Sequence, residues 1–428
     1  MKKILIFACL IGAAVSCQEQ QPVVLDDAFA IEQPTPGAVL TRLALDETQK
    51  GYVREGNKLA FNLLKQLSQE TPGSFLCSPL SLQLALAMTV NGAEGKTAEE
   101  MLGVLGYGSE GLPALNAYAR LLIEQLPALD PEVTIRLADA ILTTDRYPLN
   151  TAFRSTLKEF YYAPAASMSF QDPAPVLAQI NEWARRNTGG LIDPMLKEMS
   201  PNAVAYLMNA LYFKARWQGS ETNPMFRTEV TRDDTFYKGS GGTVNVPFMA
   251  TSRYFPYADK GTYEMVALPY ASGKFFFYIL LPKQQNGLDD LLKTLSGSSW
   301  NDLISSLSTD YTVFLRLPKF DVSGDFALNG VLQALGMRRA FDEVDAQFGR
   351  MFDTPDSPGF YISRVLQKAK MTLAEWGTEA AAVTVVEMSE KSAMPGKEIS
   401  VVADHPFVFV IGEKESGTIL FEGVFTGE

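Results

Sequence analysis

The segment Glu375-Trp376-Gly377-Thr378-Glu379-Ala380-Ala381-Ala382-Val383-Thr384 constrains this chain more than any other. It is able to extend as a strand, carries almost no side-chain bulk at its centre and lies near the C-terminus. Alternate side chains of a strand face opposite sides. From Thr378 the even positions are Thr378, Ala380, Ala382, Thr384, Val386 and Met388, which suit a buried face. The odd positions, Glu379, Ala381, Val383, Val385 and Glu387, tolerate a wetter one. This is the pattern of a latent central strand, thin enough to slip between two strands already paired. Ser389 to Lys397, which follow, are polar, contain Pro395 and Gly396, and read as an exposed loop that a protease can cut.

A sheet able to accept such a strand needs a large core. The chain has 428 residues, 46% of them hydrophobic, and no linker divides it; the Gly239 to Gly242 stretch is too short to separate cores. One oversized domain is therefore expected. Helical periodicity runs from about Glu47 to Gln69, and a buried helix is expected over Pro79 to Asn91 with Ser78 as its cap. Thr97 followed by Glu100 has the spacing of a capping box for a helix reaching Leu105. Val133 to Leu142, Met265 to Pro269 and Lys274 to Leu281 read as strands, the last two joined by a turn at Tyr270 to Gly273. Phe407 to Ile411 and Thr418 to Phe421 read as a terminal hairpin. Little βα alternation is present, so the expected class is α+β.

Several functions are disfavoured. A net charge of −12 without clustered Lys and Arg argues against nucleic acid. His405 is the only histidine, so any Ser-His-Asp or Cys-His catalyst would have to use it, and it lies in an apolar strand pattern. Asp325, or Asp342 with Asp345, offers carboxylates for glycosidase-type chemistry, but their spacing does not distinguish them from surface acids. No metal-ligand set and no cofactor motif is expected.

The N-terminus reads as a targeting segment. Lys2-Lys3 precede the apolar run Ile4 to Val15, too short to span a membrane. Ala14-Val15-Ser16-Cys17 resembles a bacterial lipoprotein signal, with Cys17 as the lipidated first residue; Ala14 departs from the usual Leu, and ordinary signal-peptidase cleavage is the alternative. The expected organisation is a signal at 1–16, a lipid-anchored tether at 17–44 and a domain at 45–428. Cys9 leaves with the leader, so Cys77 remains alone as a small buried hydrophobe and no intrachain disulfide forms.

Glu375 through Ala382 resembles the hinge of inhibitory serpins, and Asp404-His405-Pro406-Phe407-Val408-Phe409 the strand after their reactive-centre loop. Further blocks agree in order: Phe75 to Ser81 with Ala85 to Met88, Asn91 to Thr97, Ile180 to Trp183 with Thr188 to Ile192, Asn209 to Trp217, Leu317 to Phe320, and Leu335 to Met337 with Ala340-Phe341. The resemblance covers about residue 45 to the end. It implies a single serpin domain with three β-sheets, eight or nine helices and an exposed reactive-centre loop at about 375–400.

The resemblance also implies a function. A protease cuts the loop and forms its acyl-enzyme, the hinge inserts into the main sheet, and the trapped protease is carried with it as a covalent 1:1 complex. Glu375, Gly377, Thr378, Glu379, Ala380, Ala381 and Ala382 form the hinge, and its integrity argues for inhibition. The family's spacing sets Lys391-Ser392 at the scissile bond, which implies trypsin-like serine proteases; Val386, Met388 and Met394 leave elastase- or chymotrypsin-like enzymes open. Ser78, Ser81 and Asn209 match the polar cluster that controls sheet opening, and Trp217 the aromatic at the sheet's top. Gln367 stands where the family usually has His, which weakens an expectation of pH-dependent opening. The expected protein is a monomeric inhibitor, lipid-anchored at a bacterial envelope and facing the periplasm or cell exterior. A non-inhibitory carrier serpin, an inhibitor of cysteine proteases, and an envelope enzyme or glycan-binding lipoprotein are the alternatives.

Overall fold

Helices are concentrated in the first half of the chain and strands in the second, as the periodicity suggests. The computed structural model describes residues 34, 37–107, 111–199, 203–220, 222–353, 360–378 and 397–428. The leader, Cys17, Glu379 to Ala382 and the Lys391-Ser392 bond lie outside the described residues. The helices are α1 Glu47–Glu70, α2 Pro79–Val90, α3 Gly95–Leu105, α4 Gly111–Gln125, α5 Thr151–Tyr161, α6 Pro173–Asn187, α7 Leu288–Thr294, α8 Gly297–Ser305 and α9 Asn329–Ala334. The strands are β1 Phe75–Cys77, β2 Thr134–Thr144, β3 Ala165–Met168, β4 Ala205–Arg216, β5 Arg232–Tyr237, β6 Thr243–Tyr254, β7 Tyr257–Asp259 and β8 Tyr263–Pro269. They continue with β9 Phe275–Pro282, β10 Tyr311–Pro318, β11 Phe320–Ala327, β12 Leu366–Ala374, β13 Gly377–Thr378, β14 Lys397–Val402, β15 Phe407–Glu413 and β16 Ile419–Phe425.

Three sheets result. The main sheet has the order β11-β12-β13-β4-β2-β3, a second has β1-β16-β15-β9-β8-β7, and a third has β14-β10-β6-β5. The architecture is α+β in one domain, with three sheets and nine helices among the described residues.

Alternation in β2 and β4 splits the core across the main sheet. Ala138, Ala140 and Leu142 with Tyr206, Met208 and Ala210 pack under α6, against Val176, Ile180 and Trp183. Their neighbours Leu137, Ile141, Leu211 and Phe213 join the larger core with α2. The helix α2 is apolar on every side, as expected of a helix buried between layers, and starts where Ser78 accepts a hydrogen bond from the Ser81 amide.

The expected capping box at Thr97 does not form. Helix α3 starts earlier, after Glu94, and Thr97 is buried inside it. Thr97 Oγ1 accepts instead from the Gln347 amide at 3.0 Å, and Glu100 accepts from the amides of Arg338 and Arg339 at 2.8 and 2.7 Å. Tertiary partners have claimed the groups that the local motif would have used. A capping box does form at Asp46 and Gln49, at the start of α1.

Candidate functional site

Strand β4 contributes to the main sheet along both edges. Toward β2 it is paired continuously, from Thr134↔Lys214 to Thr143↔Ala205. Toward β12 no direct ladder exists among the described residues; the connection runs through β13, where Gly377 faces Arg216 and Ala374, and Thr378 faces Ala215 and Leu373. Gly377 and Thr378, at the start of the slim segment, thus stand between β12 and β4. Gly377 is required there: its φ is +141°, and a Cβ would fall 2.1 Å from the Ala215 carbonyl oxygen. Thr378 is buried, with 2% of its surface exposed.

Side chains around this seam hold the chain in place. Trp217 Nε1 donates to the Ala374 carbonyl at 2.8 Å, and the Trp217 amide donates to the Trp376 carbonyl at 3.1 Å. The Trp217 ring stacks on Tyr270 with centroids 4.6 Å apart and planes 6° apart. The Tyr270 hydroxyl is hydrogen-bonded to the Thr378 hydroxyl. Glu375 is buried, yet it pairs with Lys319 at 2.8 Å and accepts from the Thr231 hydroxyl at 2.8 Å. Burial alone would raise the Glu375 carboxyl; the bonds from Lys319 and Thr231 outweigh it, so its pKa lies below the ordinary carboxylate value.

The polar cluster lies at the inner face of the sheet, where Gln367 of β12 meets the start of α2. Gln367 Oε1 accepts from the Ser78 amide at 3.0 Å while its Nε2 donates to the Ser78 carbonyl at 2.7 Å. Ser78 Oγ donates to the Leu420 carbonyl of β16 at 2.8 Å. Ser78, Ser81 and Gln367 are therefore brought together. Asn209 engages a different partner, donating to Asp139 Oδ1 of β2 at 2.6 Å. Asp139 Oδ2 is buried without a partner, and burial, against the smaller effect of the Asn209 bond, pushes this carboxyl up to about 7. Trp217 belongs to the hinge seam.

The remaining candidates have structural partners. His405 is buried, with Nδ1 2.7 Å from the Asp404 carboxylate and Nε2 2.7 Å from the Pro282 carbonyl. Asp325 pairs with Lys368, Asp345 with Arg339, and Asp342 accepts from the amides of Val344 and Asp345. Cys77 is a free buried thiol 3.7 Å from Glu422. Burial raises Glu422 to about 8, against the smaller effect of that contact.

Sequence reasoning missed Tyr270, Thr231 and Asp139 as parts of these sites. Asp139 carried a signal, since it is the one acid in the otherwise apolar run Leu137 to Leu142; Tyr270 was visible only as a turn residue.

The comparisons identify the family to which this fold belongs. Residues 54–427 match the family model for serpins, the serine protease inhibitors. An uncharacterized serpin-like protein of Thermococcus kodakarensis is 33% identical over 377 residues, covering 88% of this chain and 85% of that protein. Serpin-Z2A of Triticum aestivum is 33% identical over 382 residues, covering 86% of this chain and 94% of that one. The native-state crystal structure of the thermophilic serpin tengpin superimposes with a TM-score of 0.81 at 27% identity, covering 93% of this chain and 98% of tengpin. The chain belongs to the serpin family.

Proposed function

We propose that this serpin is a suicide-substrate inhibitor of serine endopeptidases, with trypsin-like enzymes as its targets. The observation that carries the reading is the backbone of Gly377-Thr378, which already occupies the first rungs between β12 and β4. After Glu379, whose alternate position sets it on the wetter face, Ala380, Ala381 and Ala382 have side chains small enough to follow. Each further ladder bond adds about 0.5–1.5 kcal/mol net, so the inserted form is favoured once the loop is free to move.

In the proposed reaction the protease's serine hydroxyl attacks the Lys391 carbonyl and its proton passes to the protease's own base. The C–N bond to Ser392 then breaks, and the Ser392 amine leaves carrying that proton. The Lys391 acyl group stays esterified to the protease. Insertion of the hinge, racing against hydrolysis of this ester, carries the protease away from its productive geometry. Cys17 supplies the lipid that would hold this monomer at a bacterial envelope, facing the periplasm or the exterior.

The test is to mix the full chain with trypsin and a panel of serine proteases, then run denaturing gels with mass spectrometry of the released peptide. A denaturant-resistant adduct with cleavage after Lys391 is expected. A cut chain with fully active protease would instead identify a substrate or carrier.

A further inference from the structure

We propose that Tyr270 is the positioning residue that holds the start of the inserting segment in the main sheet, by pairing its hydroxyl with that of Thr378. The inference rests on the inhibitory reading above and names a residue outside the hinge on which that reading depends. A buried hydroxyl without a partner is costly, and Thr378 is almost fully enclosed. Tyr270 supplies its hydrogen bond from a sequence distance of 108 residues.

The position of that hydroxyl is set by contacts other than its bond to Thr378. Tyr270 is itself fully buried, stacked on Trp217 and in edge contact with Phe213 at 5.2 Å. Its amide donates to the Phe275 carbonyl at 2.9 Å, and the next amide, of Ala271, donates to the Arg216 carbonyl at 2.9 Å. Arg216 is the residue that faces Gly377. The turn carrying Tyr270 is thus tied to the end of β4, the strand along which insertion proceeds. Its hydroxyl reads the side chain at 378: Thr satisfies it, whereas Val at the same volume leaves the tyrosine hydroxyl unpaired. With these two rungs held, the ordering of the first inserted residues precedes cleavage, and the race against ester hydrolysis starts from a formed nucleus.

The experiment uses the full chain carrying Tyr270→Phe, Thr378→Val, or both. Phenylalanine keeps the stack on Trp217, so the turn is retained while only the hydroxyl is lost. Amide hydrogen exchange of a peptide spanning Ala374 to Thr378 is measured on the uncut protein, and the number of chains consumed per trypsin trapped is measured alongside. Each single variant should speed exchange by about tenfold, the factor for one buried hydroxyl left unpaired, and should raise consumption several-fold. The double variant should return both toward the parent, because an apolar pair leaves nothing unpaired. A general packing role would make the two losses multiply. Parent-like exchange in both single variants, or multiplied losses in the double variant, would overturn the proposal. Absence of any trypsin adduct from the parent would sink the inhibitory reading instead, while the exchange measurements still decide the role of Tyr270.

Discussion

The two edges of β4 differ as a welded joint differs from a seam. Toward β2 the strand is joined by a continuous ladder, and the buried Asn209–Asp139 hydrogen bond crosses it. Toward β12 it is joined through two hinge residues, stabilised by one ion pair, one stacked aromatic pair and a hydroxyl pair. One strand can therefore serve as a rigid wall on one side and a receiving edge on the other. The lesson is that one strand can carry a continuous ladder along one edge while, among the described residues, its other edge is met by a two-residue strand.

The largest effect should come from closing the seam. Thr378→Arg buries an unpaired guanidinium where 2% of the native side chain is exposed. Trapping of trypsin should fall by at least about a hundredfold, with the chain becoming a substrate; undiminished adduct on a denaturing gel would show that insertion does not pass through this position.

The two edges should also respond to pH in opposite directions. The Asp139 carboxyl is raised from its ordinary 3.8 to about 7, so the folded state holds a proton that the unfolded chain has lost. That stabilisation is complete below pH 3.8 and is lost as pH rises through about 7. Glu375 is lowered, so its stabilisation is present above the ordinary carboxylate value and is lost as pH falls through the folded value. Asp139→Asn should accordingly be more stable than the parent at pH 8 by on the order of 4 kcal/mol and nearly equal to it at pH 4. Parallel denaturant-midpoint profiles for the two proteins would contradict this assignment.

Gln367→Ala should cost about 2 kcal/mol by leaving the Ser78 amide and carbonyl unpaired at the start of α2. Chemical denaturation measures it, and a neutral result would mean that water replaces the amide. The smallest effect is expected from Glu375→Gln, which removes the charge facing Lys319 and keeps an oxygen for the Thr231 hydroxyl. Because the Lys319 side chain keeps 35% of its surface exposed, the loss should be about 1–2 kcal/mol. Hydrogen exchange should rise at the hinge and not along the β2–β4 ladder; a rise along both would dissolve the distinction between the edges.

Local signals were legible in the sequence. Ser78 followed by Pro79 marked the start of α2, and two apolar runs joined by a polar turn located β15 and β16. Gly377 and Thr378 were recognisable as the start of a thin strand, while the positions after them and the Lys391-Ser392 bond fall outside the described residues. The partners were not legible. Thr231 meets Glu375 across 144 residues and Asp139 meets Asn209 across 70, and no periodicity encodes such pairings. Thr97 shows the converse, a local capping signal overridden by a contact with Gln347.

The expectation that Gln367 weakens pH-dependent opening concerned one position only; a titrating carboxyl lies elsewhere in the same sheet, at Asp139. By itself the sequence determined the class of the chain and the apolar helix beneath the main sheet, because side-chain volume and period are properties of neighbours in the chain. Only the tertiary structure decided that Gly377 and Thr378 pair as strand, that the seam lies between β12 and β4, and that Tyr270 meets Thr378. Those outcomes depend on the register of distant strands and on the burial they impose, and both arise only when the whole core has closed.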